Sequence, residues 1–230
     1  MNTGYADPYA VSGASSEVRA DFIKRTYLHL AGAIVAFAVL EGLLLQTNFG
    51  QKLGITMMQN WLIVIGAFML VSWVADRWAQ SGASVGKQYL GLGLFVAAEA
   101  VIFLPLMMMA QRAAGADVIS KAALVTGILV AGLTVVVFVS GKDFSFMGTF
   151  LKVGGFVALG TIVVAVLFKF ELGILFSGAM VLFACGSILY TTSNIVHHYR
   201  PGQHVAASLA LFSGVALLFY YILMIFMRRD

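Results

Sequence analysis

The run 205–227 holds 23 residues and no charged side chain. At 1.5 Å per residue it is long enough to cross a hydrocarbon core of about 30 Å. Ala206, Ala210 and Gly214 fall on one line at spacing four, the small-xxx-small pattern that lets two helix backbones approach in lipid. The apolar run before it, 172–195, carries a different device. Ser187, Thr191, Asn194 and His198 recur at i, i+4, i+7 and i+11, which is one polar stripe on a helix. A charge-free helix with a small-residue face belongs among other helices, and the rest of the chain must supply them.

Five further runs do so: 27–45, 57–75, 89–110, 122–140 and 150–168. All seven have at least about 19 residues, enough to span a bilayer, and none shows the ten-residue alternation of a transmembrane strand. Composition agrees: 61% of the 230 residues are hydrophobic and 10% charged, where a soluble domain has about a quarter charged. The chain therefore reads as an all-α polytopic membrane protein, a seven-helix bundle in one hydrophobic unit over 17–230, with the lipid bilayer as its surroundings. Residues 1–16 are small and polar and are expected to be a disordered tail. The mixed segment 17–26 is expected to be a short interfacial amphipathic turn. No short apolar stretch with a cleavage site opens the chain, so no signal peptide is expected.

Connector charges set orientation. With the N-terminus inside, the inner side holds eight Lys and Arg and the outer side six, a small bias supported by Arg19, Lys24 and Arg25 ahead of the first run. The expectation is a cytoplasmic N-terminus, with Asp230 outside. The net charge of +4 suits an anionic membrane surface, and no basic-aromatic block suggests nucleic acid.

Glu99 is the sharpest single residue. It is eleventh in the run 89–110, near the bilayer midplane, where a carboxylate costs about 2.5 kcal/mol or more. Pro105 follows six residues on, removes a helix hydrogen bond from the Val101 carbonyl, and is expected to kink the helix. Two readings stand: a proton- or cation-responsive group, or a neutral acid hydrogen-bonded for packing. Glu41, five residues from the end of its run counting itself, is expected to reach solvent at the outer interface. Asp76 and Arg77 are expected to form a local ion pair, a headgroup contact or a gate latch. Met107, Met108 and Met109 read as packing or lipid-facing, and Cys185 as a small buried hydrophobe. His197, His198 and His204 cluster before the last run, but adjacent positions face apart and no Cys or carboxylate joins them nearby, so no metal site is expected. No nucleophile-base constellation or phosphate loop is present, so no catalytic residue, cofactor or enzyme activity is expected.

The connector Lys142-Asp143-Phe144-Ser145-Phe146-Met147-Gly148 has a local reading: Asp143 or Ser145 can cap the helix of 150–168, and Phe144 and Phe146 can anchor at the interface. The same segment resembles the Lys/Arg-Asp-Phe-Ser-Phe-hydrophobic-Gly signature of the Bax inhibitor-1/YccA family. Residues 19–32 (RADFIKRTYLHLAG) resemble that family's lead into its first helix. Residues 189–197 (LYTTSNIVH) resemble its sixth-helix ending, most like the bacterial YccA branch. The resemblance covers about residues 18–230. It implies seven helices with the last enclosed by the other six, a bacterial inner membrane and, as the expected role, interaction with and modulation of an FtsH-type membrane protease; the alternative is a pH-sensitive Ca2+ or H+ leak that uses Glu99. The family's leak depends on an aspartate pair on the last two helices. Those positions align with Thr191 and Gly214 here, and neither residue titrates. The family switch is therefore not carried over. Thr191 and Ser213 are expected at most to make a neutral contact, and Glu99 is the candidate substitute.

Overall fold

Helix formation begins ahead of the first apolar run because local signals demand it. Ser15 caps the first turn by accepting the Val18 N–H, and Asp21 and Arg25 pair at i, i+4 with 2.8 Å between charged atoms. The segment 17–26 is thus not a separate interfacial turn but the opening of α1 (Ser16–Gln46). A computed structural model describes residues 10–81 and 84–228, so the expectations for 1–9, Arg229 and Asp230 lie outside the described residues.

Among the described residues seven further α-helices follow: α2 (Asn48–Gln59), α3 (Trp61–Ala79), α4 (Val85–Ala114), α5 (Ala116–Ser140), α6 (Met147–Phe168), α7 (Ile174–His197) and α8 (His204–Met227). All but α2 are long and apolar enough to cross a membrane, which gives the seven candidate spans of a multi-pass protein. Their outward faces carry a belt of exposed Leu, Ile, Val and Phe, as lipid contact requires. The bundle has two ends, here the N side, where α1 starts, and the far side.

Helix α2 corrects the second expected run. Thr47 accepts the Gly50 N–H and starts a new helix, so Met57 belongs to α2 and the span begins at Trp61. The connection between α4 and α5 is shorter than any expected. Gly115 alone makes it, at φ 74°, a left-handed value that favours glycine. Asp117 and Lys121, paired at 3.4 Å, extend α5 to this turn.

Two helices form the centre, α4 and α8. Helix α8 packs on α1, α3, α4, α5 and α7. Helix α6 leans mainly on α7, so the last helix is central but lacks the sixth neighbour at full contact. Small residues permit the tight crossings. A Cβ on Gly91 would lie 2.5 Å from the Ala75 carbonyl oxygen, so α3 and α4 touch backbone to backbone. A Cβ on Gly214 would lie 3.0 Å from Ile188 on α7, as the small-residue line requires. Buried Ser208 donates to the Thr26 carbonyl at 2.8 Å and ties α8 to α1. Helix α4 continues through Pro105 to Ala114. Met107 and Met108 enter the core while Met109 points outward, and Cys185 is free and half-buried.

The polar tail is placed from Ala10 onward, against expectation. Ala10 and Val11 are buried, the Val11 N–H donates to the Tyr199 carbonyl at 2.8 Å, and Ser12 Oγ donates to the His197 carbonyl at 2.9 Å. Two apolar side chains and two hydrogen bonds at the C-terminal end of α7 are enough to dock it.

Candidate functional site

Helix α4 presents Phe95, Glu99 and Phe103 at i, i+4 and i+8, one line facing α8. The Phe95 and Phe212 rings meet at 6.1 Å on the N side of Glu99, with Phe37 closing on Phe212 at 6.0 Å. On the far side Phe103 stacks on Phe219 at 5.8 Å and meets Tyr220 edge-on at 5.5 Å. The Glu99 side chain lies between these aromatic layers, 6% exposed, and makes no hydrogen bond among the described residues. The hydrogen bond of the packing reading is absent.

What Glu99 meets instead is space. A cavity of about 540 Å³ runs between α3, α4, α6, α7 and α8. Glu99 and Ser213 line its deep part, and Glu171, Leu172 and Arg228 line its far-side end. Its walls are mainly apolar, with Phe68, Ile162, Leu217 and Phe176 among them. The cavity lies between α6 and α8. It also places Glu99 beside the last helix, a juxtaposition that sequence spacing could not supply.

The two substituted positions are both buried on the α7–α8 seam but do not face each other. Gly214 lies against Ile188 and Ser187, one turn before Thr191. Among the described residues Thr191 makes no side-chain hydrogen bond, and Ser213 faces the Glu99 cavity, so the expected neutral Thr191–Ser213 contact is not made. Ser187 and Asn194 are half-buried on α7.

The polar stripe matters at its N-side end, through a residue it omitted. Ser193 Oγ accepts the Phe144 N–H at 2.8 Å and donates to Asp143 Oδ1 at 3.2 Å. Asp143 Oδ1 also accepts the Ser145 N–H at 2.8 Å, and Asp143 Oδ2 pairs with His198 Nε2 at 3.0 Å. Asp143 therefore closes its own turn and binds α7, and it does not cap α6, whose N-cap Phe146 has no side-chain cap. Partial burial alone would raise the Asp143 carboxyl. The Ser145 N–H, the His198 ring and the Ser145 hydroxyl outweigh it and hold the group below its ordinary range. Gly148 completes the knot, since a Cβ there would lie 3.0 Å from the Tyr190 ring. Phe144 is half-buried, Phe146 projects outward, and Lys142 is exposed. The two segments 140–148 and 189–197, distant in sequence, are thus one structure.

The three histidines take separate partners. His197 Nδ1 meets the Ser193 carbonyl at 2.9 Å, His198 meets Asp143, and the His204 ring packs 5.0 Å from His29. Asp76 and Arg77 do not pair. Adjacent helical residues diverge, so Asp76 accepts from Gln80 at 2.7 Å and Arg77 lies over the Trp73 ring at 4.9 Å.

Glu41 is a second correction. It is 3% exposed, and neither carboxyl oxygen has a hydrogen-bond partner. Its spacing carried the signal: Phe22, Thr26, Leu30, Ala33, Phe37 and Glu41 recur at three and four, the buried stripe of α1. Snorkelling to the interface fails because this face turns inward.

Comparison with known proteins agrees with this architecture. The family model described as "Inhibitor of apoptosis-promoting Bax1" matches residues 19–230. An uncharacterised protein of Pseudomonas aeruginosa is 34% identical over 113 residues, about half of either chain. Bax inhibitor 1 of Schizosaccharomyces pombe is 28% identical over 94% of this chain and 79% of its own length. Protein LIFEGUARD 4 of Arabidopsis thaliana is 26% identical over 94% of this chain and 88% of its own. The match spans all seven membrane helices, the Asp143 knot and the Glu99 cavity, and the chain belongs to the Bax inhibitor-1 family of membrane proteins.

Proposed function

We propose that this protein is a non-enzymatic membrane leak for protons or cations such as Ca2+, with the Glu99 carboxyl as its responsive group. The observation that carries the reading is Glu99, buried and without a hydrogen bond at the deep end of a cavity that reaches the far-side connector. A carboxyl at membrane depth that faces space, not a partner, can exchange a proton or meet a passing cation. Toward the N side, Phe95, Phe212 and Phe37 block the path. Conduction then requires α8 to shift against α4, and the charge on Glu99 is the natural trigger for that shift. This places the responsive group on the third span, away from Thr191 and Gly214.

The test is Ca2+ and proton flux through purified protein in liposomes at about pH 6 and pH 8. Flux that depends on pH and is lost in Glu99→Gln supports the reading. Flux no greater than that of empty liposomes at both pH values overturns it.

A second reading is modulation of an FtsH-type membrane protease in a bacterial inner membrane with the N-terminus cytoplasmic. It rests on the YccA-like ending at 189–197, and the Pseudomonas relative supports a bacterial source. Copurification of such a protease with this chain, lost on disrupting the knot by Ser193→Ala, is its check.

A further inference from the structure

We propose that the Glu99 cavity binds hydrophobic organic cations, with the ligand's ammonium paired to the Glu99 carboxylate and its apolar body filling the space toward the far side. The proposal deepens the leak reading of Glu99 and rests on it.

The dimensions fit. At about 540 Å³ the cavity is within the range of pockets that hold small organic ligands, about 300–1,000 Å³. The chemistry selects among ligands. A neutral hydrocarbon would leave the buried carboxyl without a partner, and an anion would be repelled by it. A dehydrated Ca2+ needs at least six oxygen ligands. Beyond Glu99 the polar groups around the cavity are few: Ser213, Tyr220 and Tyr221 from α8, Ser177 from α7, and Glu171 and Arg228 at the mouth. The faces given by α3 and α6 carry no titratable side chain. An organic ammonium suits this set, since it brings a charge without requiring a coordination shell. Phe103, Tyr220, Trp61 and Phe68 line the cavity, and aromatic rings attract such a cation. Glu171 and Arg228 cancel in formal charge, so the mouth adds no net barrier. Where Glu99 starts as the neutral acid, its O–H bond breaks on binding. The electron pair stays on the carboxylate and one proton leaves to the buffer.

The experiment is calorimetric titration of the full chain in lipid nanodiscs with phenyltrimethylammonium and, separately, with its neutral isostere tert-butylbenzene. Saturable binding of the ammonium is expected, weaker by at least about tenfold in Glu99→Gln and in the cavity-filling Leu217→Trp. Glu41→Gln is expected to bind as the unaltered protein does. Equal binding of the isostere, as an acyl chain in the cavity would predict, overturns the proposal. So does unchanged ammonium affinity in Glu99→Gln. The two readings separate in the liposome assay. Glu99-dependent flux without ammonium binding removes the ligand alone, and ammonium binding without flux removes the leak alone.

Discussion

Ser193 shows how a single hydroxyl can decide local order. It joins the Phe144 N–H to Asp143, so Ser193→Ala leaves a half-buried N–H unmet and frees one side of the carboxylate. A loss of about 1–3 kcal/mol is expected, measured as thermal unfolding in detergent. Asp143 adds a pH dependence of defined sign. Its carboxyl is held low in the folded protein, so its contribution is complete above the ordinary Asp value of about 3.9 and fades as pH falls through the lower folded value. Unfolding temperatures of the unaltered protein and Asp143→Asn should therefore differ at neutral pH and converge in acid. A gap that stays constant in acid would contradict this. Gly91 is the steric counterpart. Its added methyl would strike the α3 backbone, so Gly91→Ala is expected to destabilise by about 1–3 kcal/mol although alanine favours helix. A neutral or stabilising effect would mean that α3 and α4 are free to separate.

At the level of elements, the long apolar runs were legible because membrane helices announce themselves by length and lack of charge. Their ends were not. Asp21–Arg25 and Asp117–Lys121 extend α1 and α5 through polar residues that a hydropathy reading trims away. Helix α2 was hidden because its Lys52 and Gln51 interrupt any apolar run, and its start depends on the side-chain cap of Thr47. Glu41 was misread by distance from the run's end, when the three-four stripe running through Phe37 gave the better clue. The role of Glu99 needed tertiary structure, since only packing shows which helix stands opposite. The Ala10–Ser15 segment is a further case: polar composition concealed one anchor, Val11. Replacing it by Asp is expected to undock the segment and raise amide exchange at residues 11–14 without raising that of α4. Unchanged exchange at 11–14 would show that the two hydrogen bonds hold the segment alone.

For the whole molecule, an aromatic seal separates the N side of the bundle from the far-side half that contains the cavity. The seal is Phe212 against Phe37 and Phe95. Under the proposed leak reading, Phe212→Ala is expected to raise flux in liposomes while costing about 3–5 kcal/mol of stability, and reduced flux would place the barrier elsewhere. In the proposed function the Glu99 carboxyl exchanges its proton through the cavity. Infrared difference spectroscopy across a pH step reads that event directly, as the carboxylic-acid C=O stretch. A band that changes with pH, persists in Glu41→Gln and is missing in Glu99→Gln is expected. A Glu99→Gln spectrum identical to that of the unaltered protein would contradict it.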